Sequence, residues 1–405
     1  MSVSSKLLDE SGSEYGTGAP IEDVVSSQNN RLKTNEGAGK SSGRLAALDA
    51  ARGLAVIGMY LQHFGQNERI GDIVSGNTTL LFVLCGGISY SIMAQRLKDR
   101  ETEMTSFRAK MLARAVFIDV IGYLLIMLNT SFGVILPAYA AIFVLALILV
   151  NRSTRVLVTT AVALTVIAPP LMILGMSLLS EAYLLADIAG GPMSALALAP
   201  AFVAGMAIGR LDLTKIRTAF SLAVGGVVMF VSGKALDAFV LPELRPSFEA
   251  WLVRIQGAGT TGYQPPDLYA IWPLNTEPPL WHMLLYAAPH TATTFQTLIG
   301  LGFALLVLGL ICLVPKNISS VLMPFAAVGR VALTMYAAQF IVKWSLGHAG
   351  IENGLEGVPF SDLLIVVATL AIGWVIARLP NGPLESLMRH FDQIFSVSRT
   401  VQASK

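Results

Sequence analysis

The chain has 405 residues, of which 54% are hydrophobic and only 13% are charged, and its mean hydropathy is +0.64. This composition excludes an ordinary soluble domain and is typical of a membrane protein with several spans. The net charge is +2, and the basic residues lie in short segments between apolar runs, so the sequence indicates no nucleic-acid partner. We therefore expect an all-α bundle of transmembrane helices in contact with membrane lipid.

The first 43 residues are rich in Ser, Gly, Asn and Glu and have no apolar stretch near the start. They predict a disordered tail over residues 1–43, and not a signal peptide or a folded domain. We expect a membrane domain over residues 44–380 and a second tail over residues 381–405. Cys85 and Cys312 lie in apolar runs without metal-ligand spacing, so we expect neither a disulfide nor a metal site.

Ten apolar runs are long enough to cross about 30 Å of hydrocarbon. They lie near residues 46–64, 77–95, 113–130, 133–150, 156–178, 193–209, 218–239, 293–314, 321–345 and 361–377. Lysine and arginine concentrate in the segments that follow the even-numbered runs. The positive-inside rule therefore predicts that both chain termini lie in the cytoplasm.

The first run carries three ionisable residues on one helix face. Arg52 and His63 lie about three turns, or roughly 16 Å, apart, and Asp49 lies one turn before Arg52. Each such group costs roughly 2.5 to 3.5 kcal/mol at the centre of a transmembrane helix, so a shared stripe predicts a functional site. His63 can act as a general base, hold an acyl group briefly, or be a structural histidine at the membrane interface.

Two basic features have both a structural and a functional interpretation. Arg52 can form a salt bridge with Asp49, donate to the phosphates or carbonyl of an acyl carrier, or do both. The basic segment with Arg108, Lys110 and Arg114 can hold the phosphates of a coenzyme A-like donor. The orientation of the chain alone would also explain that segment.

Two later runs add polar residues. The small polar residues after Pro289 are expected where the helix of the eighth run begins. His290 is expected near the depth of His63 in the membrane and could assist it. Arg330 lies inside the ninth run, with Gln339 deeper in the same run. A buried arginine needs a partner, which Asp49, Asp119 or a ligand phosphate could provide.

The longest connection on the outer side, at about residues 241–288, is rich in aromatic residues and proline. It carries the tryptophans and tyrosines Trp251, Tyr263, Tyr269, Trp272, Trp281 and Tyr286. A connection of this length without regular structure is usually functional. Aromatic rings here could stack on sugar rings or form a belt at the level of the lipid headgroups.

These segments resemble the heparan-alpha-glucosaminide N-acetyltransferase-like family of integral membrane proteins, within the wider group of transmembrane acyltransferases. The resemblance rests on residues 48–55, the interval from Arg52 to His63, residues 81–89, residues 136–143, residues 289–291 and residues 328–336. No one of these segments is specific alone. Their order along the ten runs is what carries the resemblance.

The resemblance implies transfer of an acyl group, usually acetyl, from cytoplasmic acyl-CoA to a hydroxyl or amine of an extracytoplasmic glycan or glycolipid. In type-3 acyltransferase relatives, the arginine and histidine of the first helix look essential, which implies catalytic roles for Arg52 and His63, with Asp49 positioning the arginine. In the glucosaminide acetyltransferases proper, the active histidine looks to follow the first span. Residues 64–79 contain none, so His63 is the nearest substitute.

The leading hypothesis is therefore a membrane O- or N-acyltransferase of the cell envelope, in a bacterial plasma membrane and able to form a homo-oligomer. Acyl-CoA would contact the basic segment. Residues expected to bind substrate are Tyr139, Trp281, His290, Arg330 and Gln339. The alternative is a carrier or exporter that uses the polar stripe as a path, and a third hypothesis is an assembly subunit without chemistry of its own.

Overall fold

The computed structural model describes residues 46–98, 104–179, 183–257, 279–351 and 357–394. Within these ranges the regular elements are all helical, which confirms the predicted all-α class. The predicted tail over residues 1–43 lies outside the described residues. The aromatic residues Tyr263, Tyr269 and Trp272 of the long connection lie outside them as well.

Helices occupy the ten predicted runs, and further helices lie between and after them. The helices are α1 (46–64), α2 (Glu68–Val74), α3 (Asn77–Lys98), α4 (Met104–Ile126), α5 (Leu136–Leu145), α6 (Thr154–Leu178), α7 (Tyr183–Ala189), α8 (Ala195–Ile208), α9 (Ile216–Ala235), α10 (Leu241–Gln256), α11 (Thr294–Leu313), α12 (Met323–Arg330), α13 (Ala332–His348), α14 (Ser361–Ala377) and α15 (Pro383–Ile394). The predicted run at 321–345 is two helices, α12 and α13, bent by 67°.

Some of these helices are long and apolar enough to cross a membrane. Four qualify in the described residues, and a fifth does if α12 and α13 form one span; the four are Glu68–Arg96, Thr154–Leu178, Ile216–Gln256 and Thr294–Leu313. Three apolar helices are shorter, namely Leu136–Ile148, Ala195–Ile208 and Ser361–Ala377. The helices therefore indicate a membrane protein, while the number of ten spans stays a prediction.

The exposed faces of α6 and α9 support this conclusion. Both helices expose rows of valine spaced three or four residues apart, namely Val158, Val162 and Val166 on α6 and Val224, Val228 and Val231 on α9. Continuous apolar surface of this kind is unfavourable in water and is expected where a helix faces lipid. The outside of the bundle is therefore suited to hydrocarbon, whereas its polar side chains cluster inside.

Close contact of backbones fixes α1 against α12. A Cβ atom on Gly53 would lie 1.9 Å from the carbonyl oxygen of Phe325, and one on Gly329 would lie 1.7 Å from that of Asp49. Only glycine leaves room for this approach, because any larger residue would force the helices apart. The contact holds the N-terminal half of α1, with Asp49 and Arg52, beside the break between α12 and α13.

A proline in α6 helps to fix the start of α11. Pro169 has no N–H to donate to the carbonyl of Thr165 four residues earlier. The hydroxyl of Thr294, at the start of α11, donates to that carbonyl oxygen at 2.9 Å. The link satisfies a buried acceptor and holds in place the turn that leads into α11 and carries His290.

Helices also occupy two segments that lie outside the predicted apolar runs. The long connection begins with α10, which continues α9 through a π-helical segment, Leu236–Val240, just before Pro242. The tail predicted over residues 381–405 contains α15, whose Asp392 accepts a charged hydrogen bond from Arg114 at 2.8 Å. Both helices are amphipathic, so they show no long apolar run in the sequence.

Candidate functional site

His63 lies at the end of α1 and lines a cavity of about 310 Å³, which we name the His63 cavity. Its Nδ1 lies 3.2 Å from Oε1 of Gln339 on α13. An amide oxygen only accepts, so Nδ1 carries the proton and the neutral ring keeps Nε2 as its acceptor nitrogen. The ring stacks on Phe132 with centroids 3.8 Å apart and planes 12° apart. Both the tautomer and the ring plane of His63 are thereby fixed.

His290 lines the same cavity from the turn before α11. Its Nε2 lies 2.6 Å from Nε2 of Gln62, and both residues are buried. The amide nitrogen donates, so His290 accepts at Nε2 and carries its proton on Nδ1. Burial also lowers the pKa of His290 to about 4, so the ring is neutral at pH 7. The cavity thus holds two neutral imidazoles, each oriented by a glutamine.

The turn that presents His290 has an unusual backbone. His290 and Ala292 have φ angles of 59° and 50°, which residues other than glycine seldom adopt. The hydroxyl of Thr291 donates to the carbonyl oxygen of Ala288 at 2.8 Å and stabilises the turn. Gly76 lets the turn approach α3, because a Cβ atom there would lie 3.1 Å from the backbone nitrogen of His290. The strained turn therefore serves to place one imidazole.

Arg52 lines a second cavity of about 410 Å³, which we name the Arg52 cavity. One guanidinium nitrogen lies 3.3 Å from Oδ1 of Asp49 and 3.3 Å from the carbonyl oxygen of Gly329, and the other donates to Ser89 Oγ at 3.2 Å. The expected salt bridge with Asp49 is therefore present. Nε of Arg52 is buried without a hydrogen-bond partner among the described residues.

The Arg52 cavity is strongly basic. In the described part of the chain its walls carry one carboxylate, Glu385, and five guanidinium groups, those of Arg52, Arg96, Arg114, Arg330 and Arg389. Of the three residues predicted to bind the donor, Arg114 lines this cavity. Arg108 and Lys110 lie on the exposed side of α4, outside its lining. Arg52 and Arg114 are paired with Asp49 and Asp392, and the positive charge that remains on the wall suits an anionic ligand.

The break between α12 and α13 forms part of the same wall. Arg330 ends α12 and donates to the carbonyl oxygen of Ala377. Glu385 accepts from the backbone nitrogens of Leu333 and Thr334 at 2.8 and 3.1 Å, so its carboxylate caps the start of α13. An acidic group at a helix N-terminus is favoured by the helix dipole and by its unpaired N–H groups.

An aromatic layer separates the two cavities. Tyr336 lines the His63 cavity, whereas Phe82 and Tyr139 line the Arg52 cavity. The ring of Phe82 lies 6.2 Å from that of Tyr336 and 6.0 Å from that of Tyr139. The hydroxyl of Tyr336 accepts from the backbone nitrogen of Ile135 at 3.0 Å. The polar stripe that the sequence predicts on α1, from Asp49 to His63, is therefore divided between two neighbouring cavities.

Among the other predicted substrate-binding residues, Trp281 lies apart from both cavities. It lines an apolar groove of about 380 Å³ together with Trp251 and other side chains of α10. The residues that the structure adds to the site are Gln62, Tyr336 and Glu385. Gln62 had a signal in the sequence, since it is a polar residue inside an apolar run beside His63. Within the described residues, no group of three or more His, Cys, Asp or Glu could hold a metal ion.

The fold and its cavities define an all-helical membrane-type protein with a divided polar interior. One protein-family model, described as "Protein of unknown function (DUF418)", matches residues 249–394. The matched region carries His290, Arg330, Gln339 and Glu385 but neither Arg52 nor His63. Comparison with curated proteins gave no match, and comparison with solved structures gave none.

Proposed function

We propose that this chain is an integral membrane acyltransferase of the cell envelope. It would move an acyl group, in the first place acetyl, from cytoplasmic acyl-CoA to a hydroxyl or amine of an extracytoplasmic sugar or glycolipid. One observation carries the proposal: His63 and Arg52, on one helix, line two cavities of opposite character that a thin aromatic layer separates. The proposal includes about ten spans, cytoplasmic termini and a bacterial plasma membrane.

The Arg52 cavity is the proposed donor side. The positive-inside rule assigns its arginine-rich walls to the cytoplasm, where acyl-CoA is found. Guanidinium groups bind phosphate through paired charged hydrogen bonds, so Arg96, Arg330 and Arg389 suit the phosphates of coenzyme A. The guanidinium of Arg52, which lines the same cavity, suits a carbonyl oxygen. In this arrangement the thioester points along α1 toward the aromatic layer.

The His63 cavity is the proposed acceptor side. Nε2 of His63 takes the proton from the acceptor hydroxyl or amine as that group attacks the thioester carbonyl. The bond from carbon to sulfur breaks, and the coenzyme A thiolate leaves and recovers a proton from the imidazolium. An acyl group held on His63 between two such steps would use the same atoms. Either route requires Phe82 and Tyr336 to move apart at the moment of transfer.

The decisive experiment measures thiol release from acetyl-CoA by the purified protein, together with the acylated envelope species in cells. His63→Ala should abolish both, whereas His390→Ala is the matched control because His390 is exposed on α15. Mass spectrometry of glycans and glycolipids from cells with and without the protein would identify the acylated species. Parental activity in a correctly folded His63→Ala protein would refute the assignment.

A second function, transport of a polar envelope precursor, is favoured by the break between α12 and α13. Helices broken inside the bundle often line the substrate path of transporters, and this break bends the chain by 67° beside the Arg52 cavity. A transporter would move substrate across vesicles without consuming acetyl-CoA. The thiol-release assay therefore separates the two functions.

A further inference from the structure

A third cavity, of about 440 Å³, adjoins the His63 cavity, and we name it the Lys343 vestibule. Its walls are the segment of residues 128–131, which follows α4, and the last turns of α13 with Lys343, Trp344 and His348. Thr130 and Ser131 line both the vestibule and the His63 cavity. A ligand seated in the vestibule would therefore lie next to the His63 cavity.

Lys343 places a positive charge in this vestibule. Among the described residues it has no acidic partner within salt-bridge distance. Its Nζ lies 5.6 Å from the ring centroid of Phe132, which itself stacks on His63. A cation–π contact contributes only about 0.5 to 1 kcal/mol at an exposed site, so a partly buried ammonium still gains from an anion. The ring of Phe132 thus contacts both the ammonium group of Lys343 and the imidazole of His63, the proposed base.

Two buried polar atoms at this end of the site lack hydrogen-bond partners among the described residues. They are Oγ1 of Thr130 and Nε2 of Gln339, and Gln339 is fully buried. Leaving a buried donor unsatisfied costs about 1 to 3 kcal/mol, so a ligand with hydroxyl or carbonyl oxygens would be favoured here. Trp344 lines the vestibule with an exposed indole ring, which offers an apolar face to a sugar ring.

We propose that the Lys343 vestibule binds a sugar that carries an anionic group, either a phosphate or a carboxylate. Lys343 pairs with the anionic group, Trp344 packs against the ring, and Thr130, which lines both cavities, lies on the side of the His63 cavity. A neighbouring hydroxyl or amine of the sugar then reaches the His63 cavity. This assignment rests on the proposed function for the reaction that follows, whereas the binding itself can be measured alone.

The test is calorimetric binding to the full chain purified in detergent, with glucose 1-phosphate, glucuronate, glucose and inorganic phosphate as probes. At least one anionic sugar should bind about tenfold or more tightly than glucose, which corresponds to about 1.4 kcal/mol. Lys343→Gln should remove that difference, and Lys343→Arg should keep most of it. Lys234→Gln, on the exposed end of α9, is the matched control and should change nothing.

Several outcomes would overturn the proposal. They are equal binding of anionic and neutral sugars, no binding of any probe, binding unaffected by Lys343→Gln, and inorganic phosphate binding as tightly as glucose 1-phosphate. Should Lys343→Gln fail to fold, Trp344→Ala serves instead: it should weaken binding of every sugar and leave inorganic phosphate unaffected, and unchanged sugar binding would refute the site.

The vestibule and the acyltransferase proposal can fail separately. Acyl transfer is measured separately from binding, as the acylated envelope species that is found in cells with the protein and not in cells without it. Turnover without anionic-sugar binding would refute the vestibule alone. Anionic-sugar binding that depends on Lys343, without turnover, would support the vestibule and refute acyl transfer.

Discussion

The two cavities along α1 are built from opposite chemistry. The His63 cavity holds two imidazoles whose tautomers are fixed by Gln339 and Gln62, so its polar groups are neutral. The Arg52 cavity has five guanidinium groups and one carboxylate among the described residues of its wall. Neutral acceptor nitrogens suit a group that gives up a proton, whereas guanidinium groups suit a ligand that is already anionic. Proton transfer and anion binding are therefore assigned to two different cavities along the same helix.

The layer between the cavities gives this separation a physical basis. Phe82 and Tyr336 keep the two polar spaces apart by the packing of their rings. A reactive thioester in one cavity would be shielded from water in the other until an acceptor is present. Under the proposed function, the division of the polar stripe protects the donor as well as separating the two reactants.

The largest expected effect comes from removing the imidazole of the neutral cavity. General base catalysis contributes about 10²- to 10⁴-fold, so His63→Ala should lower acyl transfer by that factor. His63→Gln keeps a donor for Gln339 without a base and should be almost as inactive. Initial rates of acyl transfer measure the effect, with His390→Ala as control. A loss smaller than about tenfold would show that the two cavities do not differ in their chemical roles.

The next effect concerns the basic cavity. Arg52→Ala leaves Asp49 without its salt bridge in a setting where both side chains are only about a fifth exposed. Removing one partner of a buried ion pair lowers the free energy of unfolding by about 3 to 5 kcal/mol, so the thermal midpoint of this variant should fall clearly. The double variant Asp49→Asn with Arg52→Gln should restore much of the stability and none of the affinity for acetyl-CoA. Restored affinity in the double variant would contradict a role for Arg52 in donor binding.

The sequence predicts those parts of the site that depend only on the periodicity of a single helix. Asp49, Arg52 and His63 share a helix, so their common face follows from 3.6 residues per turn. The pair of Gln62 and His290 joins residues 228 apart in the chain, and no periodicity predicts it.

The same holds for the contacts that divide and close the site. Tyr336 contacts Ile135 across 201 residues, and Glu385 caps α13 across about 50 residues from a helix that composition marks as a tail. The aromatic layer arises from three such helices meeting, so the sequence predicts a polar stripe and leaves its division into two cavities to tertiary packing.

A smaller effect tests the neutrality of the His63 cavity through pH. The folded-state pKa of His290 is about 4, below its ordinary value of 6.5, so its stabilising contribution is complete above pH 6.5. That contribution is lost as the pH falls toward 4, because the unfolded chain then binds one more proton than the folded chain. The free energy of unfolding falls by about 1.4 kcal/mol per pH unit at most. The thermal midpoint of the parent should therefore fall more steeply below pH 6.5 than that of His290→Asn. Parallel curves would mean that the pKa of His290 is not lowered in the folded protein.

The smallest effect tests the layer itself. Tyr336→Phe keeps the ring that packs against Phe82 and removes the acceptor for the backbone nitrogen of Ile135. The loss of one buried hydrogen bond should lower stability by about 1 kcal/mol. Because the layer stays closed, hydrolysis of acetyl-CoA without an acceptor should not rise. Tyr336→Ala removes the ring as well and should raise that hydrolysis relative to transfer. Equal hydrolysis in the two variants would show that the ring of Tyr336 does not keep the cavities apart.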